Sequence, residues 1–359
     1  MKICFISRSA YPLFNQNCKA TFGGAEVDFY LIATELAKDS RFDVNFIVGD
    51  FGQKEKEIYA NVKLYKSYKF DEKKFIQMKK LVEVMRKVDA DVYFQEGASG
   101  GTGVISMFCK FNKKVFVYRT ASDIDCDGTF IKKKKLEGRL YLYGLKNADI
   151  VITQNIKNKK QLIQNHNLKS IIIKNATEIP SFKKNKKEYT LWVGRSEKLK
   201  QPNLFLEIAS LFPDEKFLMI SPKANYNNVE GLEKNARRIK NLKFIRNVPF
   251  SKIDNYFKNA KIFVNTSEYE GFPNTFVQAT KFGVPILSLN VNPDNFINKY
   301  ECGFYAKRDF EKLKKSLHKF FADKYLRNKL SRNAYIYSKK NHDIKSISSQ
   351  YKKSLLNLK

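Results

Sequence analysis

The feature that most constrains this chain is an alternation. Short apolar runs rich in Val, Ile and Phe are separated by longer stretches of helical periodicity. KICFIS opens the series and leads into GAEVDFYLIATELAKD; DVNFIVGD, DVYFQEG, KVFVYR and DIVITQ continue it. Most of these runs lack polar alternation, as strands covered on both faces do. The polar, basic stretch Ile179–Tyr189 (IPSFKKNKKEY) breaks the series and reads as a linker. The alternation then resumes with YTLWVG, KFLMIS, LKFIRN, KIFVNTS and VPILSL. A chain of 359 residues has room for two domains. The expected class is therefore α/β, with two successive doubly wound, Rossmann-like domains carrying helices on both faces of each sheet. From about Asp323 onward the chain is helical and amphipathic with no strand after it, so it begins no new sheet.

Composition narrows the reading further. Hydrophobic residues at 43% and charged residues at 29% exclude a disordered chain. The net charge of +31 suits nucleic acid, anionic lipid or phosphorylated substrates. A Lys-, Asn- and Ile-rich composition from biased codon usage would give the same charge, so charge alone names no partner. No RRM, KH or zinc-finger motif is present, and no nucleic-acid partner is expected. Five cysteines, with no CxxC pair, fit a reducing cytoplasm better than a disulfide framework or a zinc site. The opening MKICFIS is too short for a signal segment, and no apolar run reaches the ~18–20 residues of a membrane span. Phe130–Ala148 (FIKKKKLEGRLYLYGLKNA) joins four consecutive lysines to an aromatic-aliphatic face. Such a helix suits an anionic membrane surface, each nearby Lys contributing roughly 1 kcal/mol. It equally suits a packed domain helix with a solvated lysine turn.

In doubly wound sheets, ligands bind beyond the carboxyl ends of the strands. Three loops there carry candidate residues. Gly23 and Gly24 precede a helix and would let the backbone approach a phosphate, or simply make a structural turn. Arg195 and Lys200 lie in GRSEKLKQP, just before a helix start, where two cations could cradle a diphosphate or stand as ordinary surface charges. The third loop is SEYEGFPNTFVQATKFGVPIL, Ser267–Leu287. Pro273 suits a first helical position. The amides around it, of Phe272, Asn274 and Thr275, would point at a ligand. Glu270 beside them would repel phosphate, so it is better suited to accepting hydrogen bonds from hydroxyls. A carboxylate favouring the helix dipole by ~0.3–1 kcal/mol is the structural alternative. Gln278, about two turns along the helix, can bond another hydroxyl.

EGFPNTFVQATKFGVP resembles the Glu-x7-Glu signature, with its following Gly-x-Pro, of the retaining GT-B glycosyltransferases of family 4. VGRSEKLKQP resembles the phosphate loop of that family, FGGAE its first glycine-rich loop, and IIIKNATEI its interdomain segment, with Ala176 where glycine is usual. The resemblance implies a GT-B fold with a cleft between two Rossmann-like domains. Residues 1–176 would form the acceptor domain and 177–340 the nucleotide-sugar domain. Residues 341–359 would form a helix packing back toward the first domain. It further implies that Glu270 bonds donor-sugar hydroxyls, that Arg195 and Lys200 hold the diphosphate, and that Gly23, Gly24 and Gly271 to Thr275 line the donor. Gln278 stands where the second glutamate of the signature usually binds the ribose. Many relatives carry a histidine after the strand VFVYR; here Arg119 and Asp123 are the best-placed residues. Asp125 and Asp127 mimic a metal-binding Asp-x-Asp pair, yet no metal cofactor is expected. The implied reaction transfers a sugar from a nucleotide sugar to a glycan or lipid-linked acceptor in surface polysaccharide assembly, in the cytoplasm and peripheral to its membrane. A sugar-nucleotide epimerase of the same fold and a basic nucleic-acid-binding protein are the competing readings.

Overall fold

A computed structural model describes residues 1–183, 187–222 and 229–356. Two compact units result: residues 1–176 with 344–359, and residues 177–343.

The first unit is built on an eight-stranded sheet. In chain order its strands are β1 (Lys2–Ile6), β2 (Asp43–Val48), β3 (Lys56–Tyr59) and β4 (Val62–Lys66). They are followed by β5 (Val92–Glu96), β6 (Val115–Arg119), β7 (Ile150–Thr153) and β8 (Ile171–Ile172). They lie in the order β3-β4-β2-β1-β5-β6-β7-β8, parallel except for the β3/β4 hairpin. The sequence reading omitted that hairpin because its strands are short and mix charged with apolar residues at a sheet edge. Ala60 and Asn61 turn it, both with positive φ (47° and 62°), as a tight two-residue hairpin requires. The central strands are buried on both faces, and the Phe5, Phe46 and Phe94 rings stack across β2, β1 and β5.

The second unit holds β9 (Tyr189–Val193), β10 (Phe217–Ile220), β11 (Leu242–Ile245), β12 (Ala260–Asn265), β13 (Ile286–Ser288) and β14 (Gly303–Tyr305). Their order is β11-β10-β9-β12-β13-β14, all parallel. Each unit is thus a parallel, Rossmann-like sheet, as the alternation of runs requires.

The units divide the chain after residue 176, and two segments lie differently from the sequence reading. The basic stretch expected to link the domains lies inside the second unit, which begins at Thr177; its residues 184–186 fall outside the described part. The long helix Lys324–His342 runs past residue 341 and stops before Asp343, so the return helix is Ile344–Leu356. Thr177 N donates to His342 O at 2.8 Å, which sets the two chain crossings side by side. The return helix belongs to the first unit, where it packs on the Gly24–Leu36 helix and joins Lys352 to Asp39 at 2.7 Å. Residues 357–359 lie outside the described part.

The lysine-rich segment is a packed helix, Lys135–Lys146, preceded by a short turn of helix. It lies so close to the Gly101–Phe111 helix that a Cβ at Gly144 would meet Thr102 O at 2.4 Å, and one at Gly103 would meet Leu140 O at 2.4 Å. Lys132 to Lys135 remain exposed. Among the described residues no helix is long and apolar enough to cross a membrane. All five cysteines are free.

Candidate active site

β9 and β12 are hydrogen-bonded neighbours, so the loops after their carboxyl ends meet. Thr266, first after β12, donates from its hydroxyl to Lys200 O at 2.6 Å and accepts from Trp192 Nε1 at 3.0 Å. Glu268 N donates to Leu199 O at 2.9 Å. These bonds seat the loop of residues 194–201 against the loop of residues 266–273. Gln201 then turns the chain with φ +45° into the Pro202–Leu211 helix.

The result is one constellation. Lys200 Nζ lies 2.7 Å from Glu270 Oε2, both side chains being mostly buried. Asn265 Nδ2, at the last position of β12, donates to Glu270 Oε1 at 3.0 Å. The carboxylate is therefore held at both oxygens, and each oxygen keeps further acceptor capacity for a ligand hydroxyl. The sequence reading named Lys200 and Glu270 but not the residues that orient them, Asn265 and Thr266. Their signal was present in KIFVNTS: two polar residues at the carboxyl end of an otherwise apolar strand.

Arg195 shares the loop but not the constellation, since its half-exposed guanidinium Nε bonds Glu197 Oε1 at 3.1 Å. Gly271, Phe272 and Pro273 are buried. The Phe272 ring belongs to the core, 5.3 Å from Phe296 and 5.1 Å from His342 between centroids, so only the backbone of this residue could serve a ligand. Pro273 is the N-cap, not the first helical residue as expected, and the helix spans Asn274–Lys281. Phe276, Val277, Ala279 and Thr280 face the core. Asn274, Thr275 and Gln278 share the less buried side, at i, i+3 and i+4 spacings. The Gln278 side chain makes no hydrogen bond among the described residues.

The first unit engages both residues expected near the transferred sugar. Arg119 was expected near the transferred sugar, but it is fully buried at the end of β6. Its Nη1 donates to Glu96 Oε1 at 2.5 Å and its Nη2 to Asn175 Oδ1 at 3.0 Å, with Asp28 Oδ2 at 2.9 Å. Asp28 also accepts from Ala176 N at 2.9 Å. Burial pushes the Asp28 and Glu96 carboxyls up, and the guanidinium opposes that rise. This hub fastens the chain where it leaves the unit. Asp123 is likewise engaged, accepting from Asn158 Nδ2 at 2.8 Å and pairing with Lys157. Asp28 and Glu96 escaped the sequence reading because their importance lies in a cation 91 and 23 residues away, respectively.

Asp125 accepts from the amides of Ala121 (2.6 Å) and Ser122 (3.3 Å) and from the Ser122 hydroxyl (3.2 Å). It is a buried cap, and Asp127 accepts from Thr129 N at 2.8 Å. Gly23 caps the Gly24–Leu36 helix, and its amide donates to Glu26 Oε2 at 2.8 Å. A Cβ at Gly23 would meet that carboxylate oxygen at 2.9 Å. Glu26 borders a cavity of about 370 Å³ at the carboxyl ends of β1 and β5, together with Arg8, Tyr68, Gln95, Glu96 and Phe130. Gln95 Oε1 and Glu96 Oε2 are buried there without hydrogen-bond partners.

Residues 173–337 match the family model of the glycosyl transferases group 1, a span that takes in Asn175, Arg195, Lys200, Glu270 and Gln278. The chain is 24% identical over 303 residues to CapH of Staphylococcus aureus, a capsular polysaccharide biosynthesis glycosyltransferase; the match covers 77% of this chain and 81% of that one. Sucrose-phosphate synthase from Thermosynechococcus elongatus has a similar structure, with a TM-score of 0.80 at 16% identity over 100% of this chain and 99% of that one. So does a Staphylococcus aureus TarM variant solved with UDP, fondaparinux and alpha-GlcNAc-glycerol, with a TM-score of 0.73 at 11% identity over 98% of each chain. The fold is GT-B. Fold and matched motifs together define a glycosyltransferase architecture.

Proposed function

We propose that this protein is a retaining glycosyltransferase that uses a nucleotide sugar, needs no metal ion, and glycosylates a hydroxyl of a glycan or lipid-linked acceptor in surface polysaccharide assembly. The observation that carries the proposal is the Lys200–Glu270 pair between adjacent strand ends, oriented by Asn265 and Thr266. CapH and TarM, which act or bind in related chemistry by their descriptions, support the substrate class.

Each residue has a distinct task. As the glycosidic bond breaks, negative charge grows on the diphosphate. Lys200, with Arg195 swung from Glu197, offsets that charge, and the first turn of the Asn274–Lys281 helix adds its dipole. These groups act more strongly on the transition state than on the ground state, which is the condition for catalysis. Glu270 accepts hydrogen bonds from donor-sugar hydroxyls and fixes the anomeric carbon. Gln278 bonds the ribose. The acceptor hydroxyl attacks from the face the phosphate leaves, and the departing phosphate takes its proton. The acceptor is assigned to the first-unit cavity, whose lining includes Arg8, Glu26, Gln95 and Glu96. The exposed Lys132 to Lys135 face an anionic membrane surface at the inner leaflet.

Glu270→Gln keeps the shape but loses the charge; loss of a charged hydrogen bond costs ~1.5–3 kcal/mol, or roughly 10- to 100-fold in transfer. Glu270→Ala should be worse, while binding of the free nucleoside diphosphate changes far less because that ligand carries no sugar. Steady-state transfer and calorimetric titration together check this, and equal losses in both would refute the assignment. Incubation with donor alone should leave the sugar's configuration unchanged; an epimerised product would favour the epimerase reading.

Activity should also survive EDTA. The physical reason is that Asp125, the strongest candidate ligand, spends its oxygens on two amides and a hydroxyl. Complete loss with EDTA, restored by Mn²⁺ or Mg²⁺, would overturn the metal-independent mechanism.

A further inference from the structure

The second unit has another cavity, of about 340 Å³, on the edge of the sheet opposite the Lys200–Glu270 pair. Its lining residues precede or begin strands: Lys187 comes before β9, Glu215 before β10, Lys261 near the start of β12 and Gly283 before β13. In a parallel sheet these positions share the amino-terminal edge. The fourth wall is one face of the Lys324–His342 helix, with Lys324, Arg327, Asn328 and Ser331 at i, i+3, i+4 and i+7.

The charge in this cavity is one-sided. Lys187, Lys261, Lys324 and Arg327 face a single lining carboxylate, Glu215, which Lys261 occupies at 2.6 Å. Among the described residues neither Lys187, Lys324 nor Arg327 has a carboxylate partner. Asp323 sits just outside, and one of its oxygens caps the helix by accepting from Leu326 N at 2.9 Å.

Lys187 Nζ donates to Lys258 O at 3.0 Å and Phe282 O at 3.3 Å. Two of its three donors are thereby aimed and the third is left over. Arg327 Nη1 donates to Phe320 O at 2.9 Å and Phe321 O at 2.6 Å, which fixes the guanidinium plane and leaves its other nitrogens. Backbone carbonyls thus hold two cations in place without neutralising them. Burial pushes the Lys187 amine down to about 8. An unpaired, desolvated cation is costly, and a bound anion relieves that cost. The first turn of a 19-residue helix adds its positive end. The space far exceeds the ~10–15 Å³ that one water needs and is ample for a phosphate group.

We propose that this cavity is a second anion site, taking a phosphate group carried either by a soluble compound or by a lipid headgroup. It does not depend on the reaction proposed above, since no residue is shared with the Lys200–Glu270 constellation.

A residue-resolved protection experiment tests it. An amine near 8 acylates readily at neutral pH, so limited acylation followed by peptide mass spectrometry reads Lys187 directly. Inorganic pyrophosphate is expected to slow acylation at Lys187 but not at exposed Lys132, and chloride at matched ionic strength should not reproduce this. Pyrophosphate also fits the Lys200 loop, and reading each lysine separately keeps the two sites apart. Lys324→Glu, a change at an exposed position that leaves the fold intact, should weaken protection roughly tenfold or more, the scale of one lost charged hydrogen bond. Lys261→Gln should weaken it less, because Glu215 already holds that lysine. Protection by phosphatidic acid vesicles but not by pyrophosphate assigns the phosphate to a lipid; the reverse assigns it to a soluble compound. No protection by either, or protection unchanged in Lys324→Glu, overturns the proposal.

Discussion

Lys200→Ala is expected to lower sugar transfer by ~10²–10³, the range for losing one preorganised group that stabilises developing negative charge. The expectation rests on position. The loop that carries Lys200 is bound by Thr266 and Glu268 to the loop that carries Glu270, so the ammonium is held before any ligand arrives. Preorganised charge needs no reorganisation during the reaction, which is why it is worth more here than in water. Stability should change far less than transfer, because the pair keeps some solvent access and Asn265 still holds the carboxylate. The variant also frees Glu270 from one partner, while Asn265 still holds the other oxygen. A double-mutant cycle of Lys200→Ala with Glu270→Ala then measures their coupling in turnover. Near-normal turnover in Lys200→Ala, with an unchanged unfolding midpoint, would remove this lysine from the mechanism.

The second large effect lies at Arg119 and is a loss of stability. Arg119→Met keeps much of the volume but strips the cation from between Asp28 and Glu96. Breaking a buried ion pair on one side costs ~3–5 kcal/mol, because the remaining charge has no partner. Here two carboxylates are left, and both are already pushed up by burial. The sign of the pH dependence follows. Carboxyls in the unfolded chain ionise near ~4, whereas the buried pair in the variant ionises higher, so the folded variant binds more protons than the unfolded one across that interval. The variant should therefore lose stability as pH rises, with a smaller deficit near about pH 5 than near about pH 8. Denaturant midpoints at the two pH values measure it. An Arg119→Met protein of normal stability that cannot transfer sugar would restore the reading of Arg119 as an active-site residue.

Arg119 also shows where reading the chain alone stops. An arginine at the carboxyl end of a parallel strand is, by position, a site candidate, and nothing local distinguishes a catalytic cation from a structural one. That distinction depends on Asp28, Glu96 and Asn175, which are brought to it by a helix, a strand and a loop. Phe272 is a similar case: its place in the motif points to a ligand, while its ring is committed to Phe296 and His342. The polar stretch at Ile179–Tyr189 looks like a linker because it is basic, yet its described residues belong to the second unit, whose first residue, Thr177, donates to His342 O, 165 residues later.

What the amino-acid order determined by itself was the architecture and the candidate residues of the central loops. Val- and Ile-rich runs without polar alternation can be buried only in covered parallel sheets, and their repetition on both sides of a break dictates two such units. Parallel sheets direct ligands to the carboxyl ends of their strands, so Lys200, Glu270 and Gln278 could be selected from position and residue type. Only the tertiary structure decided which charges are paired and which face open space. Pairing is set by neighbours far apart in the chain. Hence the Lys200–Glu270 contact, the buried Arg119 hub and the uncompensated cations around Lys187 appear only when separate strands and helices are packed together.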